Sequence, residues 1–119
     1  MLRLRFLLWM LGRLLTRAHK KNPQVREKLR SQPLNFVIKT RDWKGRSYQL
    51  QEDKARTQAG DLDEADMKLI FESADQAWQT LTNKDRNAFM RALQDGHVKV
   101  EGDPKRLFQL QGLMKHLGV

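Results

Sequence analysis

The run Gly96-His97-Val98-Lys99-Val100-Glu101-Gly102-Asp103-Pro104, followed by the apolar-periodic segment Lys105 to Leu117, restricts the fold more than any other part of the chain. Val98 and Val100 alternate with His97, Lys99 and Glu101, the period of a strand with one apolar and one wet face. Gly102 supplies a sharp turn. Asp103 then suits the N-cap of a helix, with Pro104 at its first position, where a fixed φ helps and a missing N–H costs nothing. The helix that follows offers Leu107, Leu110, Met114 and Leu117 on one side, with Phe108 and Leu113 on the flanks. A strand joined this tightly to an amphipathic helix points to an α+β layer arrangement.

Upstream, Asn35 to Thr40 reads as a strand with Phe36, Ile38 and Thr40 on one face and Val37 and Lys39 on the other. Arg41 to Gly45 reads as a turn in which Gly45 can take a positive φ, and Arg46 to Glu52 as a second strand carrying Tyr48 and Leu50. Lys54 to Gly60, where small Ala55, Thr57 and Ala59 alternate, gives a weak third strand. Asp66 to Glu72, with Met67, Leu69 and Phe71 pointing together, gives a fourth. Ser73 and Gln76 form a capping-box pattern before Ala74, Ala77, Trp78 and Leu81, and Thr82 with Asp85 repeats it before Ala88, Phe89, Ala92 and Leu93. Gly96 ends that helix. The expected architecture is therefore three helices on a sheet, an α+β arrangement.

The 119 residues fit one domain, and the absence of cysteine excludes a disulfide framework, a thiol nucleophile and a cysteine metal site. A reducing compartment is the simplest match. The net charge of +9 is unevenly placed: residues 1–30 carry nine basic side chains against Glu27 alone, whereas the other 89 residues sum to +1. The basic character thus belongs to an N-terminal segment.

Within that segment, Met1 to Ala18 places Leu4, Leu7, Leu8, Leu11, Leu14, Leu15 and Ala18 within an arc of roughly 120° on a helix. Arg3, Arg5, Arg13 and Arg17 lie on the far side among Phe6, Trp9 and Met10. Such a helix can pack on the domain, lie in a lipid headgroup layer or pair with a second copy. It is too short and too charged to span a bilayer, which takes about 20 apolar residues, and no small-x-small cleavage site marks a signal peptide. Arg3, Arg5, Phe6, Trp9, Arg13, Arg17, Lys20 and Lys21 form the candidate membrane-associating set. Asn22-Pro23 and Ser31-Gln32-Pro33 bracket a polar short helix or linker, which divides the chain into residues 1–33 and a domain over 34–119. On that division, removing residues 1 to 21 should leave the fold intact.

Catalytic patterns are missing from the sequence. His19, His97 and His116 are far apart and lack metal-ligand spacing, no glycine-rich phosphate loop occurs, and no serine sits in a G-x-S-x-G elbow. Asp61, Asp63, Glu64 and Asp66 lack the EF-hand spacing and its glycine, so they read as a solvated turn.

Residues 34 to 117 resemble the sterol carrier protein type 2 domain. The matching pieces are the strand Ala65 to Phe71, the helix Ala74 to Leu81, Ala88-Phe89-Met90, and above all the run from Gly96 to Asp103 with its following helix. Two departures stand out. Family members often carry glycine after the first of these helices, where Asn83 here would have to take the left-handed conformation. The C-terminal His116-Leu117-Gly118-Val119 is not the peroxisomal signal of eukaryotic members, which fits a bacterial-type cytoplasmic protein, peripheral on the inner face of the membrane.

The resemblance implies an α+β fold of about five mostly antiparallel strands covered by helices, with an apolar tunnel for an acyl chain, sterol or isoprenoid lipid, no catalysis and no cofactor. Its candidate wall is Phe71, Trp78, Leu81, Phe89, Met90, Leu93, Val98, Val100, Leu107, Phe108, Leu110 and Met114. The alternative reading of each of these is a dry core. Expected partners are a hydrophobic lipid and an anionic membrane surface. Two other functions stay open: an accessory scaffold in a membrane-bound lipid or quinone biosynthetic complex, as bacterial quinone-pathway members of the family suggest, and nonspecific nucleic-acid binding through residues 3 to 30.

Overall fold

Alternation of apolar and polar side chains decides how the sheet assembles, because a one-residue slip would turn every apolar side chain to the wrong face. A computed structural model describes residues 2–62, 64–83, 87–103 and 105–114, without the side chains of Gln111 and Met114. Five strands, β1 (Leu34–Thr40), β2 (Trp43–Leu50), β3 (Ala55–Ala59), β4 (Met67–Phe71) and β5 (Val98–Gly102), form one sheet in the order β3-β2-β1-β4-β5. Only the β1–β4 pair is parallel. The registers Phe36↔Tyr48, Ile38↔Leu69, Thr40↔Phe71, Phe71↔Val98 and Leu69↔Val100 line the apolar side chains up on one face. Phe36 and Tyr48 stack there with ring centroids 4.7 Å apart. On the opposite face, Lys39 and Lys68 both pair with Asp61, at 2.8 and 2.9 Å. Those two hydrogen bonds, that from Lys39 foremost, hold the Asp61 carboxyl well below the usual carboxylate range.

The turn between β1 and β2 is tighter than the sequence suggests. Arg41 and Asp42 alone make it, and Gly45 lies inside β2 with φ +71° beside the register shift between Ile38 and Thr40. A side chain at Gly45 would strike the Ile38 carbonyl oxygen, so glycine serves a close backbone approach there rather than the turn itself.

The helices are α1 (Leu2–Lys21), α2 (Pro23–Ser31), α3 (Ala74–Thr82), α4 (Ala88–Asp95) and α5 (Lys105–Met114). Asn22 caps α2, its side chain accepting from the Gln24 N–H at 2.9 Å, and Pro23 takes the first position. Ser73 caps α3 by accepting from Gln76 N–H at 3.2 Å, as its pattern predicts. The second capping box does not form. Thr82 ends α3, where its hydroxyl donates to the Trp78 carbonyl at 2.6 Å, and Asn87 occupies the N-cap of α4 without a side-chain capping hydrogen bond. Asp85 lies outside the described residues. Asn83 is extended at φ −70°, so this chain leaves α3 without a left-handed residue at that position. Gly96 closes α4 at φ +80°.

The N-terminal helix packs into the core. Leu4, Leu8, Leu11, Leu15 and Ala18 of α1 and Val25 and Leu29 of α2 belong to the same buried cluster as Phe36, Tyr48, Met67 and Phe71. The leucine stripe therefore lies on the sheet, as one of its three open placements allowed. The Tyr48 hydroxyl donates to the Leu8 carbonyl at 2.7 Å in the interior. Burial pushes that phenol above its ordinary pKa, which keeps it a donor. His19, also buried, donates from Nε2 to the Gln51 carbonyl at 2.7 Å. Removing residues 1 to 21 would strip these contacts from the core, and the truncated chain is expected to be destabilised.

Candidate lipid-binding site

Most of the positions that the sequence assigned to a cavity wall lie in or against the apolar interior between the sheet and its helices, and two of the described ones do not. Phe71 on β4, Val98 on β5, and Leu107 and Leu110 on α5 are buried in the common cluster. Leu81, Phe89, Leu93 and Val100 are half-buried and pack against it. Trp78 is half-buried on α3, with the Arg3 guanidinium 5.5 Å above its ring. Met114 is part of α5, but its side chain lies outside the described residues.

Met90 and Phe108 face outward, at 43% and 67% exposure. Helical geometry explains both. Ala88 and Ala92 are the buried positions of α4, and Met90 lies two residues from each, about 200° around the helix. On α5 the inward line is Leu107, Leu110 and Leu113, which leaves Phe108 off the stripe. The sequence pattern placed Phe108 on the flank, and packing turns that flank to solvent.

α5 packs on the interior through Leu107, Leu110 and Leu113. The Asp103 carboxylate accepts from the Lys105 N–H at 3.0 Å, which fits its capping role; Pro104 lies outside the described residues. Gly102 has φ +95°, and a side chain there would collide with the Asp66 carbonyl. Arg106 donates to the Pro33 carbonyl at 2.8 Å, and the Gln109 amide donates to the Gln32 carbonyl. These two side chains fasten α5 to the loop between α2 and β1, a link across more than 70 residues that no local sequence signal announces.

The candidate membrane-associating residues divide into two groups. Arg3 and Arg5 are held against the body of the protein, over Trp78 and Trp43, each 5.5 Å from the ring centroid. Phe6 and Trp9 are exposed and adjacent, with centroids 6.0 Å apart, and Arg13 lies over Trp9. Arg13, Arg17, Lys20 and Lys21 line an open groove together with Arg46 of β2. Sequence periodicity could not have found Arg46 or Thr57 for that groove, because the sheet brings them there. No helix of the described residues is long and apolar enough to cross a membrane.

With this geometry, residues 11–115 match the SCP-2 sterol transfer family. The chain belongs to that family. The matched span begins inside α1 and runs into the residues after α5, so this SCP-2 member carries the family pattern across nearly all of its sheet and helices. Solved structures share the fold at low identity. The UbiJ-SCP2 ubiquinone synthesis protein aligns over 98% of this chain and 96% of its own, at 15% identity and TM-score 0.65. Sterol carrier protein 2 from Yarrowia lipolytica aligns over 90% and 88%, at 19% identity and TM-score 0.57. The inverting sec-alkylsulfatase Pisa1 from Pseudomonas sp. matches 74% of this chain but only 14% of its own length, at 20% identity and TM-score 0.54. None of the curated proteins matches this SCP-2 chain in sequence.

Proposed function

We propose that this SCP-2 chain binds or transfers a hydrophobic lipid, an acyl chain, sterol-like or isoprenoid molecule, between its sheet and the helices α3 to α5, without catalysing a reaction. The observation that carries this reading is the continuous apolar interior on which α5 packs, in a family named for sterol transfer. α5 acts as a lid whose side-chain ties to Gln32 and Pro33 are the contacts to be broken on entry. Removal of apolar ligand surface from water drives binding, at about 25 cal/mol per Å² before entropic costs. Met67 and the half-buried Trp78 and Phe89 suit a wall that adapts to its ligand.

The outward face of α1 supports membrane association as the delivery step, through Phe6 and Trp9 and the basic residues beyond them. The protein then works in the cytoplasm, on the inner face of the membrane. Titration with a fluorescent fatty acid tests the lipid step. Saturable emission enhancement, reduced by Leu110→Arg in a folded protein, is expected; no enhancement at any protein concentration would remove the reading.

A second reading makes the protein an accessory scaffold of a lipid or quinone biosynthetic complex. It is favoured by the near full-length alignment, N-terminal helices included, with a structure described as a ubiquinone synthesis protein. Disrupting the chain in its host and measuring quinone content separates the two, since only the scaffold reading requires quinone to fall while lipid binding by the purified protein is absent.

A further inference from the structure

The outward stripe of α1 changes character along its length. Leu2, Phe6, Trp9 and Met10 are exposed at 81%, 56%, 46% and 38%, and at about 100° per residue they share a face with Arg13, Arg17 and Lys20. The first half of that face is apolar and the second half is basic. Alongside the basic half runs an open groove of about 620 Å³ between α1 and the β2–β3 edge of the sheet. Five cations line it, four from α1 and one, Arg46, from the sheet, and no carboxylate does.

Beside the groove, α1 approaches the sheet closely at Gly12. A side chain there would come within 2.9 Å of the Thr57 methyl. Thr57 in turn orients Arg46, accepting from its Nε at 2.8 Å and leaving the rest of the guanidinium for another acceptor. Among the described residues, no carboxylate pairs with Arg13, Arg17, Lys20, Lys21 or Arg46. Unpaired like charges gathered in a concave site raise the local concentration of anions, and a guanidinium fork matches phosphate oxygens.

We propose that this groove seats the phosphate of an anionic phospholipid headgroup, with Arg46 as the ligand supplied by the sheet. The inference rests on the membrane reading of α1 and adds to it a headgroup site. The apolar half of the stripe favours a lipid over a soluble phosphate: Trp9 and Met10 belong both to the groove lining and to the exposed face, so a phosphate in the groove would sit at the depth where an interfacial tryptophan places the headgroups.

Co-sedimentation of the full chain with phosphatidylcholine vesicles, with and without phosphatidylglycerol, tests this. Arg46→Gln should weaken binding to the phosphatidylglycerol vesicles by about tenfold, as loss of a charge-assisted contact would. Lys99→Gln, which removes an equal charge on β5 at the other edge of the sheet, should change it less than about twofold. Arg17→Gln on the exposed side of α1 is the second variant, and an unchanged melting midpoint shows that each protein is folded. If Arg46→Gln and Lys99→Gln behave alike while the parent binds, the headgroup site is wrong and the membrane reading stands. A parent that ignores every vesicle overturns both. Binding of inorganic phosphate that Arg46→Gln abolishes, with vesicle binding that the same substitution leaves unchanged, would assign the groove to a soluble phosphate instead. Binding to duplex DNA that Arg46→Gln abolishes, without vesicle binding, would assign it to nucleic acid.

Discussion

Leu8→Ala measures whether α1 is part of the core. Leu8 is fully buried, and its carbonyl receives the Tyr48 hydroxyl, so the side chain sits where α1 meets the stacked Phe36 and Tyr48 rings. Truncating a buried leucine costs about 2–5 kcal/mol, the spread reflecting how far the cavity collapses. The packing here spans two layers of structure, so little collapse is expected and a loss of about 3 kcal/mol is reasonable. With a urea m-value of about 1.5 kcal/mol per M, that loss moves the unfolding midpoint down by ~2 M. It would also remove a large part of a total stability of about 5–15 kcal/mol. Phe6→Ala on the same helix, at 56% exposure, is the control and should stay within about 0.5 kcal/mol of the parent. Urea unfolding followed by circular dichroism reads both. Equal shifts for the two, or a Leu8→Ala midpoint that does not move, would show that α1 is a detachable arm and refute the packing.

Gly12→Ala sets helix propensity against packing: propensity alone would add about 1 kcal/mol of stability, but the new methyl meets Thr57, whose hydroxyl is already engaged by Arg46. A lower melting midpoint is expected, and a higher one would show that α1 does not ride that low. Gly102→Val forces a β-branched residue to φ +95° against the Asp66 carbonyl, with about 1–3 kcal/mol lost to backbone conformation alone; a variant melting with the parent would contradict the β5–α5 geometry. Because the folded carboxyl of Asp61 titrates below its unfolded value, its contribution is complete above about pH 4 and fades as pH falls below that value. Asp61→Asn should therefore melt below the parent at neutral pH, with the gap narrowing under acid, and a gap that stays constant down to low pH would rule out the Lys39–Asp61–Lys68 pairing as its source.

Strand positions were legible because alternation is a local property. Phe36, Ile38, Tyr48, Leu50, Met67, Leu69 and Phe71 all face the core from their period-2 pattern. The leucine stripe of α1 was equally plain, but periodicity names a face without naming its partner. Only the tertiary fold decides between sheet, membrane and second copy, and here the sheet takes Leu4, Leu8, Leu11 and Leu15. The same limit hid the groove. Arg46 lies 29 residues from Arg17 in sequence and shares the groove with it because α1 packs on the sheet, while Gly12 reads locally as a helix weakness when its role is to admit Thr57. Phe108 and Met90 failed for a different reason: bulk and apolarity made them attractive wall residues, and neither property fixes an angle on a helix.

Native mass spectrometry of gently purified protein tests the central claim most directly. The account predicts a non-covalent adduct of lipid mass on the intact 119-residue chain, lost on unfolding and diminished in a folded Leu110→Arg variant. A clean ligand-free mass, unchanged after incubation with lipid vesicles, would contradict it.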